Sequence, residues 1–428
     1  MRTRAQLFRY AGLDVQGAVL QAHYELDGRR FDETVSFEEV GPFTTPAVIA
    51  LAHLWYLIAG LSYYKAGAAR RVDLGDTPVG ARGRDLFAAA LHDGLGEFSF
   101  RNDLPLDDVV VEGGSVASAH VAPTDRLRVL TPFGGGIDSV VTVSELHERM
   151  DQSLFVVSPS GGRFAPLEAT AAATKLDVVR ATRTLDPQLL APGPDFFHGH
   201  VPVTAMITLL AAIAAVATGR GGVVMSNEYS SSVANLHWRG RDVNHQWSKS
   251  WTSEVLLGDA VGELLGPELV VASFLRDRSE LWVASHFSQL TQFHRLFRSC
   301  NRAFRQNDRA RLATWCGECD KCLFIALMLA PFVTRPALRA IMSSEPLANP
   351  ALVPQLETLV GLGRRAKPFE CVGDPDECAA ALGEVSRRPE WSDVAHLGAL
   401  ARLAPATRDF RSLLDPHGPS RVPAHWLR

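Results

Sequence analysis

Lysine is scarce in this sequence, and there is no surplus of positive charge. Lysine accounts for only five of the 43 lysine and arginine residues, and the formal net charge of the 428 residues is −4. A general nucleic-acid-binding protein normally carries a basic surplus, so the composition argues against that class. Because arginine supplies most of the positive charge, each lysine is a candidate for a specific role.

The sequence also has little that would direct it to a membrane. The residues after Met1 lead into no apolar core of the signal-peptide type. The most apolar run, residues 201–218, includes Pro202, three threonines and six alanines, and this composition favours a buried helix over a membrane span. We therefore expect a cytoplasmic protein without a membrane partner.

Length and composition predict two to three packed domains, since 46% of the residues are hydrophobic. Residues 1–122 contain short alternating runs and an apolar helix, which predict an N-terminal α+β domain. Residues 123–295 alternate strands with helices, which predicts a doubly wound parallel sheet. Residues 296–428 lack a strand pattern and predict a helical region that contains a cysteine cluster. The expected fold class is therefore α/β.

The most informative motif is a glycine loop between a predicted strand and a predicted helix. Three glycines at positions 134–136 follow a strand predicted over residues 126–133, and the helix is predicted from Asp138. Glycine lets backbone N–H groups approach an anion closely, and a helix N-terminus adds partial positive charge and unpaired donors. The loop has no Walker A lysine, and Ser139 replaces the third glycine of a dinucleotide-binding motif.

This loop resembles the PP-loop of ATP pyrophosphatases, whose pattern is Ser-Gly-Gly-x-Asp-Ser. Gly134 stands in place of the first serine, whereas Asp138 and Ser139 match the last two positions. Enzymes with this loop cleave ATP between its α and β phosphates and transfer AMP to a substrate oxygen. The resemblance implies a sheet domain of the PP-loop type, also called adenine nucleotide α-hydrolase-like.

Four of the six cysteines have the spacing of metal ligands. Cys316, Cys319 and Cys322 form a Cys-x2-Cys-x2-Cys motif, and Cys300 precedes it. Four thiolates suit tetrahedral zinc, and a closed four-cysteine site is structural rather than catalytic. The same ligands also suit an iron–sulfur cluster, and the spacing leaves both open. A disulfide framework is disfavoured in a chain of this size without a signal peptide.

Polar segments follow several predicted strands, at the edge where a doubly wound sheet binds its ligand. Asn227 and Glu228 come directly after one such strand. His245 and Lys249 lie in the next segment, which is rich in hydrogen-bond donors and aromatic residues. Arg276 lies just past another predicted strand and can pair with a phosphate or a carboxylate. We expect these side chains to contribute to one ligand site.

The motifs, taken in this order, are similar to those of one family, the ATP-dependent UDP-N-acetylmuramoyl-L-alanyl-L-glutamate epimerases of bacterial peptidoglycan synthesis. The resemblance covers about residues 8 to 380, and the order of the motifs is more specific than any single motif. It rests on residues 60–65, 134–139, 226–230, 244–246, 249–250, 299–301, 315–322 and 367–371.

The resemblance implies an enzyme that converts the terminal L-glutamate of a UDP-linked muramoyl dipeptide into D-glutamate. It implies ATP and Mg2+ as requirements and AMP and pyrophosphate as products, and it leaves the oligomeric state open. An ATP-cleaving loop has a purpose in such an isomerase. Adenylation removes the negative charge of the carboxylate, and that charge strongly opposes loss of the neighbouring α-proton.

We assign the following expected roles to the residues. The phosphates and the rest of the nucleotide contact Gly134, Gly135, Gly136, Ser139, Asn227 and Arg276. Asp138 orients or ligates Mg2+, and Lys249 neutralises phosphate or moves a proton. His245 and Glu228 are candidates for α-proton transfer. Structural zinc is bound by Cys300, Cys316, Cys319 and Cys322.

Two other functions remain open. A 7-cyano-7-deazaguanine synthase also combines a PP-loop with this cysteine pattern, so an enzyme that modifies a nucleobase or tRNA is one alternative. A non-enzymatic nucleotide-binding scaffold with structural zinc is the other. A rival mechanism also exists for the epimerase, since cofactor-independent glutamate racemisation uses two cysteines, and Cys371 and Cys378 lie outside the predicted metal site.

Overall fold

The computed structural model describes residues 3–122, 124–190, 196–304, 312–363, 366–404 and 406–427. Within these ranges the chain forms twelve strands: β1 Leu7–Gln16, β2 Val19–Leu26, β3 Arg29–Glu38, β4 Arg71–Asp73, β5 Val110–Glu112, β6 Asp125–Pro132, β7 Asp151–Pro159, β8 Val178–Thr184, β9 Arg220–Met225, β10 Leu236–Trp238, β11 Arg241–Val243 and β12 Val270–Ser273.

The same ranges contain fifteen α-helices. They are α1 Pro46–Ala59, α2 Leu61–Gly67, α3 Ala81–His92, α4 Gly96–Asn102, α5 Ile137–Leu146, α6 Ala165–Ala173, α7 Pro187–Leu190, α8 Val203–Ala217, α9 Trp251–Leu265, α10 Glu280–Gln289, α11 Asp320–Leu329, α12 Arg335–Met342, α13 Val353–Leu359, α14 Pro375–Ser386 and α15 Ala395–Leu403.

A mostly parallel sheet of ten strands organises the described part of the chain, in the order β12-β9-β6-β7-β8-β3-β2-β1-β4-β5. The five strands from β12 to β8 are all parallel. Neighbouring residues of a strand point to opposite faces, and accordingly Val129 and Leu130 of β6 enter different cores. The expected α/β class and the doubly wound parallel strands are confirmed.

Helices cover both faces of these five strands. α5 and α6 contribute Val140 and Ala171 to the core on one face, whereas α8 and α9 contribute Leu209 and Leu257 to the other. The chain therefore winds one way from β6 through β7 to β8 and the other way through β9 to β12. The strand order reverses between β6 and β9, and ligands of doubly wound sheets bind outside the carboxyl ends of the strands at this point.

The short alternating runs of the N-terminal region form antiparallel strands, but these strands do not form a separate sheet. β1, β2 and β3 pair antiparallel, and β3 also pairs antiparallel with β8. Without this pairing both β3 and β8 would expose unpaired backbone groups along a sheet edge. The division at residues 122, 295 and 428 stays a prediction, and Pro123, next to the first boundary, lies outside the described residues.

The apolar helix predicted in the N-terminal region is divided at Gly60 into α1 and α2. A Cβ at Gly60 would lie 2.6 Å from the ring of Tyr10, whose hydroxyl donates to the carbonyl oxygen of Leu57 at 2.6 Å. Pro46–Gly67 is long and apolar enough to cross a membrane, yet 83% of its most apolar window is buried inside the protein. Such burial is typical of a core helix.

The described residues after 296 form helices and turns without a strand, as predicted. α11 lies at the centre of this region, where it packs against α10, α13 and α14. Its side chains join the same core as α5. The C-terminal helices therefore cover the α5 face of the sheet and bring the cysteine cluster near the carboxyl ends of its strands.

Candidate active site

The glycine loop connects β6 to α5 at the point where the strand order reverses. Gly135 has φ +70°, and a Cβ there would lie 3.3 Å from the Cα of Leu167, so both its conformation and its space require glycine. Gly136 is the N-cap of α5 and has no side chain to cap the helix. Ser139 donates from Oγ to the carbonyl oxygen of Gly136 at 3.1 Å. The loop leaves backbone N–H groups of the helix N-terminus facing the crevice.

Asp138 lies in the first turn of α5, directly after the glycine loop. Its Oδ1 is buried and has no hydrogen-bond partner among the described residues. Burial and the nearby Glu228 raise the pKa of Asp138 to about 7, although Lys321 and Lys249 act in the opposite direction. A buried carboxylate oxygen without a partner is a ligand available for a divalent cation.

The carboxyl ends of β9 and β12 supply Asn227 and Ser273. The side-chain amide of Asn227 donates to Oγ of Ser273 at 3.0 Å, which joins the two strand ends. Glu228 is buried next to Asn227. Burial, Glu228 and Asp138 raise the pKa of Glu280, at the start of α10, well above its ordinary value. Three carboxylates therefore gather at this edge of the sheet.

Arg276 holds the backbone of the site in place, and its guanidinium is buried among protein acceptors. Its side chain is 1% exposed and pairs with the carboxylate of Glu254 at 2.8 Å. It also donates to the carbonyl oxygens of Glu228 at 2.9 Å and Lys249 at 2.6 Å. Each guanidinium nitrogen has an acceptor within the protein. This arrangement fixes the backbone of Glu228 and Lys249.

A chain of four polar side chains lies next to Asp138. The Nζ of Lys249 lies 3.4 Å from the Sγ of Cys371. The Nδ1 of His245 donates to Oε2 of Glu97 at 2.5 Å, and the His245 side chain lies close enough to Cys371 for the two to raise and lower each other's pKa. Cys371, His245 and Lys249 are partly buried, whereas Glu97 is 5% exposed. The arrangement is a thiol, an imidazole and a carboxylate in sequence, with an ammonium beside the thiol.

The charges around Cys371 and His245 favour the ionised forms of both side chains. Burial alone would raise the pKa of Cys371, but Lys249 and the hydrogen bond from His245 lower it to about 6. Burial alone would lower the pKa of His245, but Cys371 and Glu97 raise it to about 9. Near pH 7 the side chains are therefore a thiolate and an imidazolium.

His200 lies beside this pair, with its ring centroid 4.3 Å from that of His245. One ligand atom from each of Glu97, His200 and His245 lies within 4.8 Å of the others, so the three could surround a metal ion. Two atoms bound to one ion at about 2.1 Å are usually about 3 Å apart. The 2.5 Å contact between Glu97 and His245 is shorter, which favours a direct hydrogen bond.

We expect Cys371 to be alkylated by iodoacetamide with a midpoint near pH 6, because the thiolate is the reactive form. Lys249→Met should move the midpoint upward by about one pH unit or more, since it removes a positive charge beside the sulfur. Mass spectrometry of the Cys371 peptide across a pH series measures both values. Cys378, fully buried in α14, is the internal control that should stay unmodified. A midpoint at about 8.5, the value of an ordinary thiol, would contradict the geometry.

The predicted metal ligands come together in the described structure. The sulfurs of Cys300, Cys316, Cys319 and Cys322 all lie within 4.8 Å of one another, so the cluster can hold a metal ion. The sulfurs of Cys316 and Cys322 are 3.7 Å apart. Ligand sulfurs on a tetrahedral zinc, at about 2.3 Å from the ion, are about 3.8 Å apart.

The cysteine cluster also positions a lysine. Cys319 is the N-cap of α11, and the backbone N–H groups of Glu318 and Cys319 donate to the Sγ of Cys316 at 3.4 and 3.3 Å. Lys321, between two ligands, is 8% exposed and contributes positive potential at both Asp138 and Cys371. The cysteine cluster therefore keeps the ammonium of Lys321 near the carboxylate of Asp138.

The structure thus brings Asp138, Glu228 and Lys249 close enough to interact next to the glycine loop, and Cys371 joins Lys249 to His245. Sequence reasoning did not assign Glu97 to the site, and it assigned Cys371 only to a rival mechanism together with Cys378. The described structure places Cys378 in α14, where its pKa is raised by burial and by Glu377. Its thiol is therefore held in the neutral form.

Fold and site together define a doubly wound α/β protein with a cluster of charged side chains at the switch point of its sheet. Comparison with known families makes this more specific. The model of the MurL N-terminal domain matches residues 1–274, and the model of the MurL C-terminal domain matches residues 296–413. The chain belongs to the MurL family.

Three curated relatives are each called UDP-N-acetyl-alpha-D-muramoyl-L-alanyl-L-glutamate epimerase. The protein from a Micromonospora strain is 35% identical and covers 94% of this chain and 91% of its own length. That from Salinispora tropica is 37% identical over 87% and 82%. That from Xanthomonas oryzae pv. oryzae is 34% identical over 98% and 96%. The resemblance inferred from the motifs is therefore confirmed.

Proposed function

We propose that this chain is an epimerase that converts the terminal L-glutamate of UDP-N-acetylmuramoyl-L-alanyl-L-glutamate into D-glutamate, with ATP as a second substrate. The names of three relatives that align over at least four-fifths of both chains support the substrate. One observation of the structure carries the use of ATP. Asp138, directly after the glycine loop, lies close enough to Lys249 for their charges to interact, and Lys249 and His245, a candidate for proton transfer, both act on Cys371.

Activation of the carboxylate comes first in the proposed reaction. The N–H groups of Gly134, Gly135 and Gly136, with Ser139, bind the phosphates of ATP. Asp138, with its buried oxygen, fits Mg2+, which neutralises phosphate charge when bound. Attack of the substrate carboxylate on the α phosphate gives an acyl adenylate and pyrophosphate. Asn227 and Arg276 fix the strand ends and loops around this position.

Epimerisation follows because the adenylate no longer carries the carboxylate charge. A side-chain base removes the α-proton, the nearby cations stabilise the enolate, and a proton returns to the opposite face. Burial alone would lower the pKa of Lys249, but Cys371, Glu228 and Asp138 raise it, so this side chain is a cation rather than a base near neutral pH. Hydrolysis of the bond from the acyl carbon to the AMP oxygen then releases AMP and restores the carboxylate of the D-glutamyl residue, which stays on the nucleotide dipeptide.

We also propose zinc as the ion of the cysteine cluster, in a structural role. Four sulfurs at tetrahedral spacing fill the coordination of zinc and leave no position for a substrate. The PP-loop type of the sheet domain is part of the same proposal, and the glycine loop at the switch point supports it.

Incubation of the protein with ATP, Mg2+ and UDP-N-acetylmuramoyl-L-alanyl-L-glutamate should give D-glutamate on chiral analysis after acid hydrolysis. In D2O, deuterium should enter the glutamate α-carbon in step with AMP release, because activation precedes proton loss. Without ATP no deuterium should enter. Exchange without ATP would show direct deprotonation, and AMP formation without D-glutamate would show a different activity.

A further inference from the structure

We propose that Cys371 is a covalent nucleophile that takes the activated glutamate from the adenylate as a thioester. The inference rests on the proposed function, and it adds an enzyme-bound step between adenylation and release. Three groups arranged as thiol, imidazole and carboxylate carry it: Cys371, His245 and Glu97. A nucleophile next to a base that a third group orients is the general geometry of covalent acyl transfer.

Each partner of the thiol has a separate task. Glu97, 5% exposed, accepts the hydrogen bond from Nδ1 of His245 at 2.5 Å and so fixes the orientation of the ring. The other ring nitrogen is then the one available to the sulfur. Lys249, with Nζ 3.4 Å from Sγ, stabilises the thiolate, and Cys371 is only partly buried.

The transfer step balances without an additional reactant beyond ATP. An electron pair of the thiolate forms the bond from Sγ to the acyl carbon, and the bond from that carbon to the AMP oxygen breaks. AMP leaves with the electron pair. Water later attacks the thioester, the bond from carbon to Sγ breaks, and the thiolate is restored. The net consumption is one ATP and one water for each product released.

Acylation of the sulfur also changes the proton balance of its neighbour. His245 is held as an imidazolium by Cys371 and by Glu97, with the thiolate hydrogen bond as the larger favourable contribution. In the thioester the sulfur has no charge, so this contribution is lost and the proton of His245 leaves more easily. Formation of the thioester therefore lowers the pKa of His245 and favours its neutral, basic form.

Covalent attachment also puts the α-carbon in reach of that base. The α-carbon of a thioester is two bonds from Sγ, and Sγ contacts both His245 and Lys249. The ammonium of Lys249 lies where the enolate charge develops. The same thiol, imidazole and carboxylate then provide the base for water in the release step, as in acyl-enzyme hydrolysis.

The test follows radioactive glutamate of the nucleotide dipeptide through one turnover with ATP and Mg2+, quenched in acid. We expect acid-stable label on the peptide that contains Cys371, and neutral hydroxylamine should release it. His245→Gln should increase the label at least about tenfold, because attack on the adenylate continues through the thiolate while release loses its base. Cys371→Ala should lose the label and D-glutamate formation, yet still release pyrophosphate in the first turnover.

Cys378→Ala is the matched control, since this thiol is buried in α14, and it should keep the label. The thioester would be overturned if the wild-type protein and His245→Gln both released pyrophosphate but carried label on fewer than one chain in a hundred. D-glutamate formation by Cys371→Ala above a tenth of the wild-type rate would also overturn it. Lack of pyrophosphate release by the wild-type protein would instead contradict the proposed function, on which the thioester depends.

Discussion

Asp138→Asn is expected to lower AMP formation by at least about 100-fold, which corresponds to about 2.7 kcal/mol of barrier, while the variant stays folded. Asp138 lies in the first turn of α5 directly after the glycine loop, and its Oδ1 has no partner in the described structure. Asparagine keeps the shape but loses the charge that would hold a divalent cation on the phosphates. Release of AMP from ATP with the nucleotide dipeptide is the measurement.

The same substitution should stabilise the protein, and the effect should depend on pH. Burial and Glu228 raise the pKa of Asp138 from 3.8 to about 7, so the folded protein holds this proton more tightly than the unfolded chain. The resulting stability is present below about pH 4 and is lost as the pH rises through about 7. Asparagine has no acidic proton to lose, so the variant does not lose this stability as the pH rises. The melting temperature of the variant should therefore exceed that of the wild type by more at pH 8 than at pH 5.

Glu145→Gln is the matched control for this experiment. Glu145 is a partly buried carboxylate near the other end of α5, 3.9 Å from Arg149. Its removal tests the loss of a carboxylate from the same helix without touching the crevice, and activity should stay within about a factor of two. AMP formation by Asp138→Asn above a tenth of the wild-type rate would contradict the assignment of the loop.

Local sequence patterns were sufficient to predict the centre of the sheet and the loop. Alternating strands and helices from β6 to β12 predicted the parallel winding, because each strand carries a buried apolar run. Three glycines between a strand and a helix predicted a phosphate-binding loop, and the structure places this loop where the strand order reverses. The spacing of Cys316, Cys319 and Cys322 predicted their cluster, since three of its four ligands are only three residues apart.

Contacts between distant segments could not be predicted in this way. The pairing of β3 with β8 depends on a register that spans about 150 residues, and it is reinforced by a buried ion pair between Glu33 and Arg183 at 2.5 Å. Glu97 meets His245 across 148 residues, and Lys249 meets Cys371 across 122 residues. No short motif contains either pair.

Arg276 illustrates a different reason for an incomplete prediction. Its position after β12 placed it correctly at the ligand edge of the sheet. Its burial next to Glu254 depends on how α9 packs against β12, which the sequence pattern does not define. An arginine beside a crevice can bind an anion or hold the backbone that forms the crevice, and only the surrounding acceptors distinguish these roles.

Removal of one cysteine ligand is expected to have a large effect on folding. Cys319→Ser should lower the yield of folded protein several-fold and reduce the bound metal from about one zinc per chain to less than about a tenth. A structural zinc with four thiolates contributes free energy on the order of 10 kcal/mol to folding, and serine is a poor ligand for it. The whole stability of a typical domain is about 5–15 kcal/mol, so the loss is not easily compensated.

Elemental analysis of the purified protein and of the variant measures the metal, and it also separates zinc from an iron–sulfur cluster. Cys378→Ala is the control, because this buried cysteine lies outside the cluster and should leave the zinc content unchanged. The Cys319→Ser protein that still folds should also have a lower activity per folded molecule than the wild type. The reason is that the cluster positions Lys321 near Asp138. Wild-type protein with less than about a tenth of an equivalent of zinc, and no iron, would contradict a structural metal at these four sulfurs.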